Sequence, residues 1–452
     1  MTDKLIPQST SRRQFVSLAA AAVAAQSLSP LVSAHTNRGI TDVQPQTGSG
    51  TDAIRRLRVQ VHVSLLVDLR RRIRATRWPE RETVDDDSQG VQLATLQGLA
   101  HHWATDYDWR KCEATLNALP QFVTEIDGLD IHFMHVRSKH ENALPLIVSH
   151  GWPCSIIEQI KIIDPLVNPT AYGASASDAF HLVVPSLPGY GFSGKPTTTG
   201  WGPERTARAW VTLMQRLGYT KFASQGGDLG GIVSNVMAKQ APPGLLGIHV
   251  NFPAAVPPDI LTAIQGGNPS PAGLSSDERL AYEQLSVNFK KRRAYAFEMA
   301  TRPQSLYGLA DSPIALAGWL LDHGDAYGQP AATITSAVLG RTVNGHSAGA
   351  ITRDDVLDNI TLYWLTNTGV SAARFYWETA HFNYLVAANV SVPAAVSAFP
   401  GENYQAPLSW TEQAYHDLIY YNRPERGGHF AAWEEPLLLA QEVRAGLRPL
   451  RS

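Results

Sequence analysis

The sequence predicts an α/β fold: a mostly parallel sheet covered on both faces, with a helical cap inserted late in the chain and an extension module ahead of the core. Three observations predict it. Short apolar runs at Leu144–Ser149, His181–Val184, Tyr219–Ala223 and Gly247–Asn251 alternate with segments of helical period, the pattern left by strands buried on both faces of a parallel sheet. The alternation stops between residues 254 and 385, where helical patterns alone remain, and resumes after 386. Finally, Ser224-Gln225-Gly226-Gly227-Asp228-Leu229-Gly230-Gly231 joins a strand to a helix that runs on from Ile232, the layout of a nucleophile elbow.

Composition narrows the function classes. The 452 residues are 44% apolar and 17% charged, enough for a large core and unlike a disordered chain. Lys and Arg number 38 against 40 Asp and Glu, so no net field draws the protein to nucleic acid or anionic lipid. Cys112 and Cys154 are the only cysteines, which argues against a disulfide scaffold or cysteine-rich metal site; pairing of the two is the alternative, and two free thiols are the expectation.

The first segment reads as an address. Ser11-Arg12-Arg13-Gln14-Phe15-Val16 is a twin-arginine pattern, followed by an Ala-rich apolar stretch to about Ala25 that is too short for a stable membrane span. Val32-Ser33-Ala34 offers small residues for cleavage before His35. Residues 1–34 are therefore expected to be a signal peptide read through positions 11–16 by the twin-arginine export machinery, the mature chain being periplasmic or secreted. Residues 35–56, with Gln44-Pro45-Gln46-Thr47-Gly48-Ser49-Gly50, read as a linker.

The N-terminal module spans 57–143. Leu57–Val63 alternates as a strand, Ser64 is placed to cap a helix from Leu65 to Thr76, and Leu93–Thr105 and Trp109–Leu119 read as further helices, the last stopped by Pro120. Arg70, Arg71, Arg72, Arg74 and Arg77 read as a solvated helix face. Gly128–Val136 reads as the first core strand; its His132 and His135 fall on opposite faces and are expected to be ordinary strand residues, not a metal pair. In the core, 144–253, the strand at Leu144–Ser149 ends in His150-Gly151-Trp152-Pro153, a place for an oxyanion-type backbone donor. Pro185–Ser193 is a loop, and Arg205–Leu217 a helix. The cap, 254–385, carries helical patterns at Ser276–Thr301, Pro313–Asp322 and Asp354–Asn367, a block fit to exclude water from the elbow. The core resumes over 386–452, with strand patterns at Val390–Val396 and His416–Tyr421.

The elbow places Asp228 where a serine hydrolase carries Ser. A carboxylate is a poor opener of amides but can displace a leaving group at an sp³ carbon and form an ester. That chemistry is the opening of an epoxide or the displacement of a halide. An elbow nucleophile needs an acid and then a histidine in chain order. His429, between Gly428 and Phe430 after the last strand, is placed for the base; Glu402, in Phe399-Pro400-Gly401-Glu402, for the acid. Glu412 and Asp417 fall in later elements, and Asp259 is the alternative were the acid carried on another strand end.

From about residue 57 onward the chain resembles the microsomal-type epoxide hydrolases. The residues that carry the resemblance are Thr76-Arg77-Trp78-Pro79, Tyr107-Asp108-Trp109-Arg110-Lys111, Gly128-Leu129-Asp130-Ile131-His132-Phe133, His150-Gly151-Trp152-Pro153, Gln225-Gly226-Gly227-Asp228 and Arg426-Gly427-Gly428-His429-Phe430-Ala431-Ala432. The resemblance implies an α/β-hydrolase core with an N-terminal module and cap, and an enzyme that converts an epoxide and water to a vicinal diol through an alkyl-aspartate ester. It implies Asp228 as nucleophile, Glu402 as acid, His429 as base, and Tyr295 and Tyr376 as cap donors to the epoxide oxygen. Backbone N–H groups of Trp152 and Leu229 would hold the oxyanion, with no metal or organic cofactor required. Leu229 and Gly231 depart from the aromatic and Ser the family often has there. Two rival readings share these residues: a haloalkane dehalogenase using Asp228, with Trp152 as a halide donor, and a catalytically silent ligand-binding member of the fold.

Overall fold

A computed structural model describes residues 39–43, 52–322, 331–380 and 383–451. The twin-arginine pattern and its cleavage site lie outside these residues. The described strands are β1 (Thr41–Val43), β2 (Arg55–Val59), β3 (Gln121–Ile126), β4 (Leu129–Val136), β5 (Leu144–Ser149), β6 (Phe180–Pro185), β7 (Phe222–Gly226), β8 (Leu245–Val250), β9 (Ala394–Ser397) and β10 (Leu418–Asn422). They form one sheet in the order β1-β2-β3-β4-β6-β5-β7-β8-β9-β10. From β6 to β10 the neighbours are parallel; from β1 to β6 they are antiparallel.

The strand order reverses at β5, which sits between β6 and β7. Right-handed crossovers then put the β5–β6 helix, Ile156–Val167, on one face and the helices Pro203–Arg216 and Asp228–Gln240 on the other. Pro436–Leu447 joins Ile156–Val167 on the first face. With both faces covered, β5, β7 and β9 are buried along nearly their whole length. The crevice at the carboxyl ends of β5 and β7 is where such sheets bind ligands.

The N-terminal module differs from the expectation in several places. Thr41–Val43, within the expected linker, pairs antiparallel with Leu57–Val59. The chain beyond β2 keeps that pairing, as Gln60 N–H and His62 N–H donate to Ile40 O and Gly39 O. The helix begins earlier, at Val63, and His62 caps it by accepting from Ser64 N–H at 3.3 Å, so Ser64 is inside the helix. β3 is additional. It forms a hairpin with β4 through Asp127-Gly128, both at positive φ (53° and 78°), as a tight turn of this kind requires. Gln121 to Ile126 is too mixed in polarity to stand out as a strand, because its alternation is satisfied by hairpin pairing. The arginine face is tied down by local partners: Arg71 and Arg72 pair with Asp68, Arg72 also with Asp311, while Arg70 and Arg74 donate to the Tyr107 and Ala104 carbonyls. His132 is buried between Ser186 Oγ (2.9 Å) and Gln121 Oε1 (3.0 Å), and Cys112 and Cys154 are free and buried.

In the cap, the expected single helix at Ser276–Thr301 is broken. Ser276–Val287 runs into a π turn at Asn288–Arg292, and Ala294–Thr301 follows. A further helix, Gly369–Thr379, packs against Ala294–Thr301. Helix Arg353–Thr366 links cap to module: His102 Nε2 meets Asp354 Oδ1 (2.7 Å), Trp103 Nε1–H donates to Thr361 Oγ1 (3.0 Å), and Tyr107 O–H donates to Asp358 Oδ1 (2.7 Å). No described helix is long and apolar enough to cross a membrane.

Candidate active site

The elbow strand is Phe222–Gly226, three residues further along than its apolar run suggested, so β7 leads directly into the turn. Asp228 opens the next helix with φ at +47°, a left-handed conformation held by its surroundings. Two close approaches make that turn possible. A Cβ on Gly230 would lie 2.0 Å from Ser149 O, and one on Gly151 would lie 2.4 Å from the Asp228 Cβ. Glycine at both positions lets the β5 end and the elbow touch.

Asp228 Oδ1 accepts from Trp152 N–H at 2.8 Å, and its Oδ2 lies 3.5 Å from His429 Nε2. His429 Nδ1 is hydrogen-bonded to Glu402 Oε1. Backbone pairing sets this geometry, since Gly401 N–H donates to Gly427 O at 3.0 Å and so clamps the acid loop to the base loop. Glu402 and His429 are 4% and 6% exposed. Burial opposes protonation of His429, but the carboxylates of Glu402 and Asp228 outweigh it and hold the imidazole well above its ordinary range. Leu229 N–H sits in the first helical turn, where no carbonyl four residues back within the helix can accept from it.

Tyr295 comes from Ala294–Thr301 and Tyr376 from Gly369–Thr379. The Tyr295 ring stacks on Trp152 with centroids 4.6 Å apart, and Tyr376 meets both rings edge-on, at 5.8 Å from Trp152 and 6.2 Å from Tyr295. Burial first, and the Asp228 carboxylate second, push both phenols up from their ordinary value, so they remain O–H donors. All seven expected site residues thus lie around one elbow or the cap face above it. Asp259, Glu412 and Asp417 are exposed elsewhere.

Several neighbours were not legible in the sequence. Asn403 N–H donates to Glu402 Oε1 at 2.7 Å, and its side chain accepts from Asn288 of the π turn at 2.8 Å, tying the acid loop to the cap. Phe252 meets the His429 ring edge-on at 5.8 Å and packs against Tyr384. The buried carboxyl of Glu158 lies on the same wall as Asp228. The only cue to Asn403 was its place beside Glu402; Glu158 carried no cue.

A carboxylate on a strained elbow, with a buried His–Glu pair beside it and two cap phenols nearby, is the site of a hydrolase of the α/β-hydrolase fold. The chain matches the epoxide hydrolase N-terminus family over residues 54–159 and the alpha/beta hydrolase fold family over 145–294. A protein of Stigmatella aurantiaca (strain DW4/3-1), provisionally named an epoxide hydrolase, is 49% identical over 87% of this chain and 85% of its own. Epoxide hydrolase 1 of Oryctolagus cuniculus is 33% identical over 88% and 89%. The crystal structure of juvenile hormone epoxide hydrolase from Bombyx mori aligns with a TM-score of 0.76 at 27% identity, covering 88% of this chain and 95% of that one. The chain belongs to the epoxide hydrolase family.

Proposed function

We propose that this epoxide hydrolase works in two covalent steps, with Asp228 as nucleophile, His429 as base, Glu402 as its orienting acid, and Tyr295 and Tyr376 as donors to the epoxide oxygen. The observation that carries it is the division of labour at Asp228: Oδ1 is held by Trp152 N–H at 2.8 Å while Oδ2 faces the His429 imidazole at 3.5 Å. Asp228 Oδ2 attacks one epoxide carbon, the carbon–oxygen bond breaks, and the tyrosine pair stabilises the ring oxygen as it gains charge. A neutral epoxide oxygen is a weak acceptor and an alkoxide a strong one, so these hydrogen bonds strengthen in the transition state.

Proton bookkeeping closes without another reagent. In the resting enzyme His429 holds a proton between two carboxylates. Esterification removes the charge of one of them, which lowers the hold on that proton, and the alkoxide takes it up in net terms. His429, now neutral, is a base when water attacks the ester carbonyl. The N–H groups of Trp152 and Leu229 receive the oxyanion, the diol leaves, and the resting pair is restored. The aromatic surroundings of the nucleophile, Trp152, Tyr295, Tyr376 and Phe252, favour epoxides with apolar substituents. Export is part of the same reading, supported by Arg12-Arg13 and the short apolar run after them.

An epoxide panel assayed for diol identifies the substrate class, with chloride release from chloroalkanes as the opposing readout. Single turnovers in ¹⁸O-water should give a largely unlabelled first diol and label in the peptide carrying Asp228. His429→Gln should trap an adduct of the epoxide's mass, because alkylation does not need the base. Fully labelled first diol with no adduct in that variant would mean that His429 activates water directly and Asp228 is a bystander.

A further inference from the structure

Beside the nucleophile lies a small, largely enclosed cavity lined in part by Asp228, His429, Gln225, Asn251, Glu158 and Gln159, to which neither cap tyrosine contributes. It is about the size that holds one water molecule. Gln225 and Gln159 are 2% and 4% exposed, and the side-chain oxygen of each has no hydrogen-bond partner among the described residues. Gln225 Nε2–H donates to Asn251 Oδ1 at 3.1 Å, which commits its amide nitrogen and leaves the oxygen to the cavity wall. Buried amide oxygens without a donor are costly, and two of them on the wall of one cavity mark a place made for a donor.

We infer that this cavity seats the water that hydrolyses the Asp228 ester, with Gln225 and Gln159 as positioning residues that accept one of its O–H groups and leave the other to His429. The inference rests on the ester mechanism above. In that step His429 Nε2 takes one proton from the seated water as the water oxygen bonds to the Asp228 carboxyl carbon. The bond from that carbon to the alkyl oxygen then breaks, and the departing diol oxygen takes the proton from His429. The remaining water proton, left on the Asp228 carboxyl, passes to His429 and restores the resting pair. Fixing the spectator O–H on an amide oxygen aims a lone pair at the carbonyl carbon before reaction begins.

Glu158 supports the same seat. It lies on the helix that carries Gln159 and accepts a hydrogen bond from the Cys154 thiol. Burial pushes its carboxyl up to about 8, with His429 pulling the other way, so it is uncharged at neutral pH. The ionisable groups around it are His429, Asp228, Glu434 and Cys154. A neutral carboxyl leaves the water's protons to His429, whereas a carboxylate is the stronger acceptor and competes for them. Ester hydrolysis should therefore fall on the alkaline side as Glu158 ionises.

Rapid-quench single turnovers with styrene oxide, or whichever panel epoxide the wild type converts, separate ester formation from ester loss when adduct is counted by intact-protein mass spectrometry. Gln225→Leu and Gln159→Leu should each slow ester loss about 3- to 10-fold, the equivalent of one hydrogen bond, with ester formation unchanged. Glu158→Gln, which stays neutral, should flatten the alkaline fall in ester loss. Unchanged ester loss in both leucine variants, equal slowing of both steps, or an alkaline fall that survives Glu158→Gln overturns the seat. If Gln225→Leu does not fold, Gln159→Leu and the pH profile decide. Wild-type diol formation with no adduct overturns the ester mechanism itself, and the seat with it.

Discussion

Tyr295, Tyr376 and Trp152 form one aromatic unit, and the residue that supplies a backbone donor to the nucleophile also supplies the ring on which a cap donor rests. Each tyrosine is therefore placed before substrate arrives. Tyr295→Phe or Tyr376→Phe should slow ester formation about 10²- to 10³-fold, the usual loss for one preorganised donor. The double variant should nearly abolish turnover with an unchanged circular dichroism spectrum; near-normal alkylation by it would remove the phenols from the chemistry. At this scale the sequence was uneven in what it disclosed. Asp228 and His429 were legible because an elbow leaves a local mark, glycines where backbone meets backbone. The two tyrosines carry no such mark: they meet only when two separate helices pack, and the residues themselves were picked by resemblance. Gln159 and Glu158 were hidden for a related reason, since nothing local separates them from Lys161 and Asp164, the helix's outward polar residues.

The element that joins module, core and cap is Arg353–Thr366. Its Asn359 donates to the Pro153 carbonyl at 2.8 Å, its Tyr363 to the Cys154 carbonyl at 2.8 Å, and its Asp358 accepts from Tyr107 of the module. The helix thus braces the loop whose Trp152 N–H holds Asp228. Burial raises the Asp358 carboxyl to about 7, against the opposing hydrogen bond from Tyr107. Between the ordinary carboxylate range and about 7, the folded protein keeps a proton that the unfolded chain has released, so this group's contribution makes stability fall as pH rises. Asp358→Asn keeps an acceptor for Tyr107 and removes the titration. It should raise Tm relative to wild type at pH 8 and leave it nearly unchanged at pH 4; equal shifts at both, measured by thermal unfolding, would show that the carboxyl does not titrate across that window. The helix starts expected at Ser276 and Asp354 fall on and one residue after the observed starts, Ser276 and Arg353, which reciprocal capping boxes at Ser275 and Thr352 fix. The break at Asn288–Arg292 was not legible, since no proline or glycine marks it and Asn288 turns out through its bond to the acid loop.

For the molecule as a whole, the alternation of apolar strands and helices disclosed the parallel half of the sheet, while the antiparallel half was only partly visible because β3 and β1 owe their form to partners rather than to their own pattern. The proposed export route takes up folded protein, and the free thiols of Cys112 and Cys154 show a described fold that does not call on disulfides. N-terminal sequencing of periplasmic or secreted protein should give a start near His35; an unprocessed cytoplasmic chain, or export that survives replacing Arg12 and Arg13 by Lys, would count against it. The placement of β9 and β10 adds a constraint in time. β9 pairs with β8 only across the whole cap, β10 then pairs with β9, and the loops after these two strands carry Glu402 and His429. During synthesis, then, Asp228, Tyr295 and Tyr376 leave the ribosome before Glu402 and His429 do, and the slow long-range pairing of β8 with β9 comes after that. A nascent chain that closed its cap early could capture an epoxide and have no means of letting it go. On the proposed mechanism, completion of the last two strands turns a single-use alkyl trap into a catalyst.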